Sequence, residues 1–253
     1  MELSIIIPAY NEEARLGRTL DQYLPYFNAR YARDYEMLVV VNGSHDRTEE
    51  IAQEYARAHA AIRVIVEARP IGKGGAIMLG LAAAQGRLVG FTDADGSTPP
   101  EAFQELVGRI GSASAIIASR WLPGARVSVH QPFKRRLISR LFNTLVRVLF
   151  RLPISDTQCG AKLLTANAVQ AIRPHLGITR WAFDVDLLFQ LRRAGLAIVE
   201  IPSTWHDVAG SRLHVVKASL EMFVALVRLR LIYSPFRWVV RLYDRTLARY
   251  VHK

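Results

Sequence analysis

Residues 37–58 read MLVVVNGSHDRTEEIAQEYARA: an apolar, β-branched run, a polar turn through Asn42-Gly43-Ser44, and a helical stretch from about Asp46. An apolar run of that length reads as a buried strand, so residues 37–41 and 46–58 make one strand-turn-helix unit. The unit recurs on both sides of this stretch. Residues 3–7 are a short strand ended by Pro8, with a helix over about 12–28. Residues 62–67 form a third strand, 74–84 a third helix and 88–92 a fourth strand. Such alternation predicts an α/β fold with a mainly parallel sheet and helices on both faces. Ligands of these sheets bind beyond the carboxyl ends of the strands, so residues 8–12, 42–46 and 93–97 are expected to converge on one crevice.

The second half is less regular. Residues 115–118 read as another strand, and 134–150 as a helix with Leu137, Leu141, Leu145 and Leu149 on one face and Arg136, Arg140, Asn143 and Arg147 on another. Residues 181–194 read as a helix, 197–201 as a strand and 215–232 as a long apolar helix. No internal repeat and no linker rich in Pro, Gly or Ser divides the chain. Residues 1–213 are therefore expected to form one domain, with a basic amphipathic helix at 134–151 inside it, followed by a basic helical segment over 214–253.

A chain of 253 residues that is 51% hydrophobic and 22% charged can bury a real core, which excludes disordered, collagenous and low-complexity classes. The single cysteine, Cys159, has no intrachain partner and fits a reducing compartment. The opening MELSIIIPAY is too short and too poor in basic residues to read as a signal peptide, and no run of about 18 apolar residues predicts a spanning helix. The net charge of +11 is unevenly placed. Residues 120–151 hold eight Arg and Lys and no acid, and residues 212–253 hold nine against two, leaving the remainder net negative. An anionic partner should meet those two segments.

Asp93-Ala94-Asp95 leaves the tip of the fourth strand. Hard divalent cations take oxygen ligands, and two carboxylates at this spacing can hold one Mg²⁺ or Mn²⁺ against a diphosphate. A bland reading, with one Asp capping the helix near Pro99 and the other solvated, competes for an isolated pair. Two further loops at strand ends favour the functional reading: residues 42–48, and Gly72-Lys73-Gly74-Gly75, which precedes a helix whose amino end can receive phosphate or sugar oxygens. Neither a P-loop nor a GxGxxG dinucleotide loop is present.

IIIPAYNEE near the start, VNGSHDRT, GKGGAIMLGL, FTDADGS, ASR at 118–120, DTQCGAK at 156–162 and FDVDLL at 183–188 together resemble the ordered motifs of glycosyltransferase family 2. The resemblance covers about residues 3–213 and runs closest to the polyprenyl-phosphate (dolichyl-phosphate) hexosyltransferases, the glucosyl type above all. It implies a GT-A, Rossmann-like fold with C-terminal amphipathic helices at a membrane interface. It also implies an inverting transfer of a hexose, glucose from a UDP-linked donor, to polyprenyl phosphate at the cytoplasmic face of a membrane, by a peripheral enzyme.

Carried over residue by residue, the resemblance puts Pro8, Ala9, Tyr10 and Glu12 around the nucleoside, Asn42 on the base edge and Lys73 near the base or sugar. Asp93 and Ala94 would meet the ribose or the metal, and Asp95 would be the main ligand of Mg²⁺ or Mn²⁺. Arg120 would meet the acceptor phosphate, supported by Arg135 or Arg136. The chain departs from the family's pattern at three places: Val41-Asn42 replaces a usual Asp-Asp, Ser97 replaces the Gln after the aspartate pair, and His206 stands where some relatives carry an arginine.

A phosphate acceptor also has physical support. A phosphate monoester is already anionic, so it needs cationic guides more than a strong base, and the acid-free stretch 120–151 supplies them. A basic amphipathic helix commonly lies in the plane of a bilayer. Asp156, Asp184 and Asp186 would then position loops or sugar hydroxyls, whereas with a saccharide hydroxyl as acceptor Asp184 is the candidate base. A GDP-mannose donor is a further enzymatic alternative. The non-enzymatic alternative, a basic nucleic-acid-binding protein, has only charge in its favour, since no recognition motif is present and no nucleic-acid partner is expected. Cys159 reads as a small packed residue.

Overall fold

The computed structural model describes residues 1–128, 133–177, 182–206 and 215–236, with Trp238 and Val240; the side chains of 133–138 and 215–220 are outside this set. Strand β1 (Leu3–Ala9) is followed by α1 (Leu16–Tyr31), β2 (Tyr35–Asn42), α2 (Thr48–Ala58), β3 (Ile62–Glu67), α3 (Gly72–Ala83), β4 (Leu88–Phe91), α4 (Pro100–Arg109) and β5 (Ala115–Ser119). The second half adds β6 (Arg126–Val127), α5 (Phe133–Phe150), β7 (Lys162–Thr165), α6 (Ala166–Ile172), α7 (Phe183–Arg193), β8 (Ile198–Pro202), β9 (Thr204–Trp205) and α8 (Val215–Ile232).

Seven strands form one sheet in the order β3-β2-β1-β4-β7-β5-β8. Strand β1 pairs in parallel with β2 and β4, β2 with β3, and β5 with β8. Strand β7 runs antiparallel to both β4 and β5, so the mainly parallel sheet carries one inverted interior strand, the fifth of seven. The inversion has a functional consequence. Phe91, the last residue of β4, pairs with Lys162, the first of β7. The segment leading into β7 therefore enters the sheet at the end where the aspartate pair leaves it.

Alternation along the strands divides the core between two faces. Leu3, Ile5 and Ile7 of β1 face Leu20, Tyr23, Phe27 and Phe103 of α1 and α4. Ile6 of β1 and Leu38 and Val40 of β2 face the layer of Ile77, Leu81, Val185 and Leu188 from α3 and α7. With both faces covered, β1 and β2 are buried along their whole length, which is why they read as unbroken apolar runs. Helix α3 lies unusually close to the sheet, and a Cβ at Gly80 would stand 2.5 Å from Ile6 Cγ2. Helices α5 and α8 pack together on this second face, where Val146, Leu226 and Leu229 are buried.

The last helix, α8, divides its apolar side chains between the protein and the outside. Leu226 and Leu229 of α8 turn inward, while Phe223, Val224 and Val227 are exposed beside Arg228 and Arg230. No helix among the described residues is long and apolar enough to cross a membrane.

Candidate active site

The three loops anticipated at the strand ends do converge. A cavity of about 650 Å³ opens there, walled on the β1–β2 side by Pro8, Tyr10, Glu12, Asn42 and Pro70. Gly72, Lys73 and Gly74 from the amino end of α3 form its floor, followed by Asp93, Ala94 and Asp95 beyond β4. The remaining wall is Gln158, from the segment entering β7, with Phe183 and Asp184 at the start of α7.

Reciprocal bonds lock the first two loops. Asn11, at a positive φ of 53°, donates its backbone N–H to Ser44 Oγ and accepts the His45 N–H at Oδ1. Glu12 N–H donates to Thr48 Oγ1 at 2.7 Å, and Glu13 N–H to Asp46. Desolvation works to raise the Asp46 carboxyl, but hydrogen bonds donated by the Thr48 hydroxyl and amide and by the Glu13 amide overcome it and hold the carboxyl below its ordinary value. Asn42 is buried and donates from Nδ2 to the Ala9 carbonyl at 3.2 Å. Ala9 thus supports the cavity from behind, being fully buried itself. Gly43, at φ +64°, lets the β2 turn press against the Pro70 backbone, where a side chain would have no room. Glu12 pairs with Arg15 through two 2.6 Å bonds; burial nevertheless outweighs Arg15 and leaves its carboxyl above the usual range.

The aspartate pair is the electrostatic centre. Lys73 Nζ lies 2.5 Å from Asp93 Oδ1. Burial works to raise the Asp93 carboxyl, but Lys73 first, then Lys162 and Arg120, overcome it and hold it below its ordinary value. Conversely, burial lowers Lys73 while Asp93 and then Asp184 outweigh that effect and keep it firmly charged. Asp95 accepts the Ser97 N–H at Oδ1, 2.9 Å away, which closes the turn behind the pair. Ser97 is itself buried, and its carbonyl accepts the His206 N–H at 2.8 Å, while His206 Nδ1 meets Ser128 Oγ at 2.8 Å. His206, exposed here, ties the small β6–β9 sheet to the aspartate loop.

Two carboxylates on a cavity wall, with no set of three or more His, Cys, Asp or Glu among the described residues gathered into a cage, suit an ion that keeps waters and substrate phosphates as its other ligands. Mg²⁺ and Mn²⁺ have that habit, and the all-oxygen donor set fits them.

The family resemblance puts Arg120 on an acceptor phosphate; in the structure its guanidinium pairs with Asp156. Nε and Nη2 of Arg120 donate to the two oxygens of fully buried Asp156 at 2.7 and 3.0 Å, and the group stacks over Trp205 at 5.0 Å. Burial opposes both charges; Arg120 overcomes it to hold Asp156 low, and Asp156 does the same to hold Arg120 high. Arg120 does not line the cavity. Asp184 does, and fully buried Lys162 bridges its Oδ1 and the Cys159 carbonyl at 2.6 Å each. Asp186 turns away to Tyr233, Gln190 and the Gly177 amide. Burial pushes the Cys159 thiol up to about 11, in keeping with a packed, unreactive side chain. The side chains of Arg135 and Arg136 lie outside the described residues.

Single-residue signals do not reveal Lys162, whose burial has no local mark in the sequence, or Gln158 and Phe183, which carry no charge or metal-binding group to single them out. Phe183 presses on Gly74, where a Cβ would stand 2.5 Å from its ring.

Residues 4–173 match the sequence profile of glycosyl transferase family 2. The chain is 34% identical over 250 residues to the human (Homo sapiens) dolichyl-phosphate beta-glucosyltransferase, spanning 94% of this chain and 77% of that one. It is 32% identical over 249 residues to a dolichyl-phosphate beta-glucosyltransferase of Trichomonas vaginalis, spanning 94% and 76%. Among solved structures, glucosyl-3-phosphoglycerate synthase from Mycobacterium tuberculosis, in complex with Mn²⁺, UDP-glucose and phosphoglyceric acid, superposes with a TM-score of 0.70. That match has 22% identity and covers 92% of this chain and 81% of that one.

Proposed function

The chain belongs to glycosyltransferase family 2, and on that premise we propose that it transfers glucose from UDP-glucose to a polyprenyl phosphate, dolichyl phosphate where that lipid is present, at a membrane surface. The observation that carries the donor half is the single cavity in which Asn42, Lys73, Asp93 and Asp95 meet. The names of the relatives support glucose and the lipid phosphate, and the complexes of the structural neighbour support UDP-glucose and Mn²⁺.

Asn42, fixed by the Ala9 carbonyl, presents an amide to the base edge. Tyr10, half exposed at the rim, covers the nucleoside. The amino end of α3 and Lys73 face the diphosphate, where a helix terminus and an ammonium both favour anionic oxygens. Asp93 and Asp95 would hold a Mn²⁺ or Mg²⁺, whose charge offsets that of the leaving diphosphate. A phosphate oxygen of the acceptor attacks the anomeric carbon opposite the diphosphate. The new C–O bond forms as the old one breaks, the electron pair leaves with UDP, and configuration inverts. No proton need be removed from a phosphate nucleophile, which leaves Asp184 to orient sugar or acceptor and Lys162 to hold it in place. The Arg120–Asp156 pair braces the loop after β5, and the Arg120 charge is one of those that hold Asp93 ionised.

The acceptor would arrive from the bilayer. Helices α5 and α8 expose Leu141, Val148, Phe223, Val224 and Val227, with Arg140, Arg147 and Arg230 also exposed, a combination suited to anionic headgroups above acyl chains. The decisive experiment is a panel of UDP- and GDP-linked hexoses assayed with polyprenyl phosphate and Mn²⁺ or Mg²⁺, following nucleoside diphosphate release. Turnover only with UDP-glucose and only with lipid phosphate is expected; equal turnover with a saccharide alcohol would overturn the acceptor assignment.

A further inference from the structure

One atom of the cavity wall is unaccounted for. Gln158 lines the cavity, yet its Nε2 is buried and has no hydrogen-bond partner. A buried amide left unpaired is costly, and such groups normally find a partner in protein or ligand. Its neighbours on the chain are fixed. Thr157 N–H and Oγ1 both donate to Asn143 Oδ1, at 3.1 and 2.9 Å, and the Cys159 carbonyl receives Lys162. The turn is also pressed onto the aspartate pair, since a Cβ at Gly160 would stand 2.7 Å from Asp93 Cγ. Sheet order then gives Gln158 its side of the site. Asn42 ends β2, on one flank of β1 and β4, whereas Gln158 leads into β7 on the other. A nucleotide sugar with its base at Asn42 and its diphosphate at Asp93 and Asp95 extends its hexose toward β7.

We propose that Gln158 is a specificity-determining residue that hydrogen-bonds a hydroxyl of the donor hexose. The inference rests on the donor reading above and adds a residue to it. A hydroxyl both donates and accepts, so it satisfies the amide in either orientation. A site with a polar group built for one hydroxyl rejects analogues lacking that hydroxyl far better than an apolar wall could.

The test is binding, measured by calorimetry with Mn²⁺ present, of UDP, UDP-glucose and the four monodeoxy UDP-glucose analogues (2-, 3-, 4- and 6-deoxy). Wild type is compared with Gln158→Met, which keeps length and removes the amide. Gln158→Asn, which keeps the amide one methylene short, serves as a second variant should the first unfold. Gln158→Met should weaken UDP-glucose roughly tenfold and leave UDP unchanged, the scale expected for one buried hydrogen bond. One deoxy analogue should bind wild type about tenfold more weakly than UDP-glucose does, and should lose nothing more in the variant, because both changes delete the same bond. Equal loss of UDP and UDP-glucose would place the amide on the diphosphate and overturn the proposal. Unchanged UDP-glucose affinity, or additive losses with every analogue, would overturn it as well. Wild type that binds no nucleotide sugar overturns the donor reading itself, an outcome distinct from any failure of Gln158 alone.

Discussion

Asp95, on the cavity wall, and Asp156, buried behind it, show how differently two aspartates can act. Asp95 borders the cavity, and an amide in its place keeps the shape but removes the charge that would face a leaving diphosphate. Asp95→Asn should therefore lower turnover by about 10²-fold or more, the range for losing an electrostatic stabiliser, with an unchanged melting temperature. Full turnover in that variant, or in wild type with excess EDTA, would remove the metal role. Asp156 is fully buried under Arg120, and Asp156→Asn strands a guanidinium, at a cost of roughly 3–5 kcal/mol for breaking a buried pair. Because the folded Asp156 carboxyl lies below its ordinary value, the pair's stabilisation is complete above the unfolded pKa near 4 and fades as pH falls through the folded value. The melting-temperature gap between wild type and Asp156→Asn should thus be constant from pH 5 to 8 and narrow only in stronger acid. A gap that widens on acidification would contradict the pairing. Sequence made Asp93, Asp95 and Lys73 legible because loop chemistry at strand ends repeats a spacing. It could not show that Arg120 is tied to Asp156, since the pair is 36 positions apart and no periodicity links them.

At the scale of elements, the strands and helices of the first hundred residues were readable because both faces of the sheet are covered, and unbroken apolar runs leave little ambiguity. Helix α8 fell where its apolar run placed it, over Val215–Ile232. Strand β7 was not readable: its four residues, Lys162–Thr165, are too short a run for periodicity to show, and nothing local tells that it pairs antiparallel to its neighbours. Yet β7 is what carries the turn at Gly160 onto Asp93. Gly160→Ala should drive its methyl into that carboxylate and displace it, so the concentration of Mn²⁺ giving half-maximal activity should rise roughly tenfold or more, as for loss of a ligand's positioning support. Gly80→Ala offers the contrast. Its methyl meets the Ile6 side chain, about two turns of α3 beyond Lys73, so local overpacking should cost about 1–3 kcal/mol of stability with the Mn²⁺ requirement unchanged in the folded fraction. Swapped outcomes for the two glycines would mean that β7 does not set the position of Asp93.

For the whole molecule the uneven charge matters most. Counting residues was enough to see that two segments carry the positive excess and that the rest of the chain, net negative, brings the total down to +11. Counting could not show which apolar side of α8 is covered, because periodicity does not say what packs where. The structure answers that: Leu226 and Leu229 go inward, while Phe223, Val224 and Val227 stay exposed near basic side chains. Two forces should then act at a bilayer and respond differently to salt. Attraction of Arg and Lys to anionic lipid contributes about 1 kcal/mol per side chain near the surface and is screened over about 8 Å at physiological ionic strength. Apolar insertion is indifferent to screening. Co-sedimentation with phosphatidylserine-rich vesicles should therefore be strong at about 50 mM salt and fall by an order of magnitude or more by about 500 mM, leaving a salt-resistant remainder. Replacing Phe223, Val224 and Val227 together by Ser should remove most of that remainder while preserving the low-salt binding in part. Turnover of a water-soluble short-chain polyprenyl phosphate should stay within about twofold of wild type in the triple variant, because the replaced side chains are exposed on α8 and none lines the cavity. Failure to bind acidic vesicles at low salt would detach the protein from the membrane. Loss of short-chain turnover in a folded triple variant would show instead that α8 belongs to the acceptor site rather than to its approach.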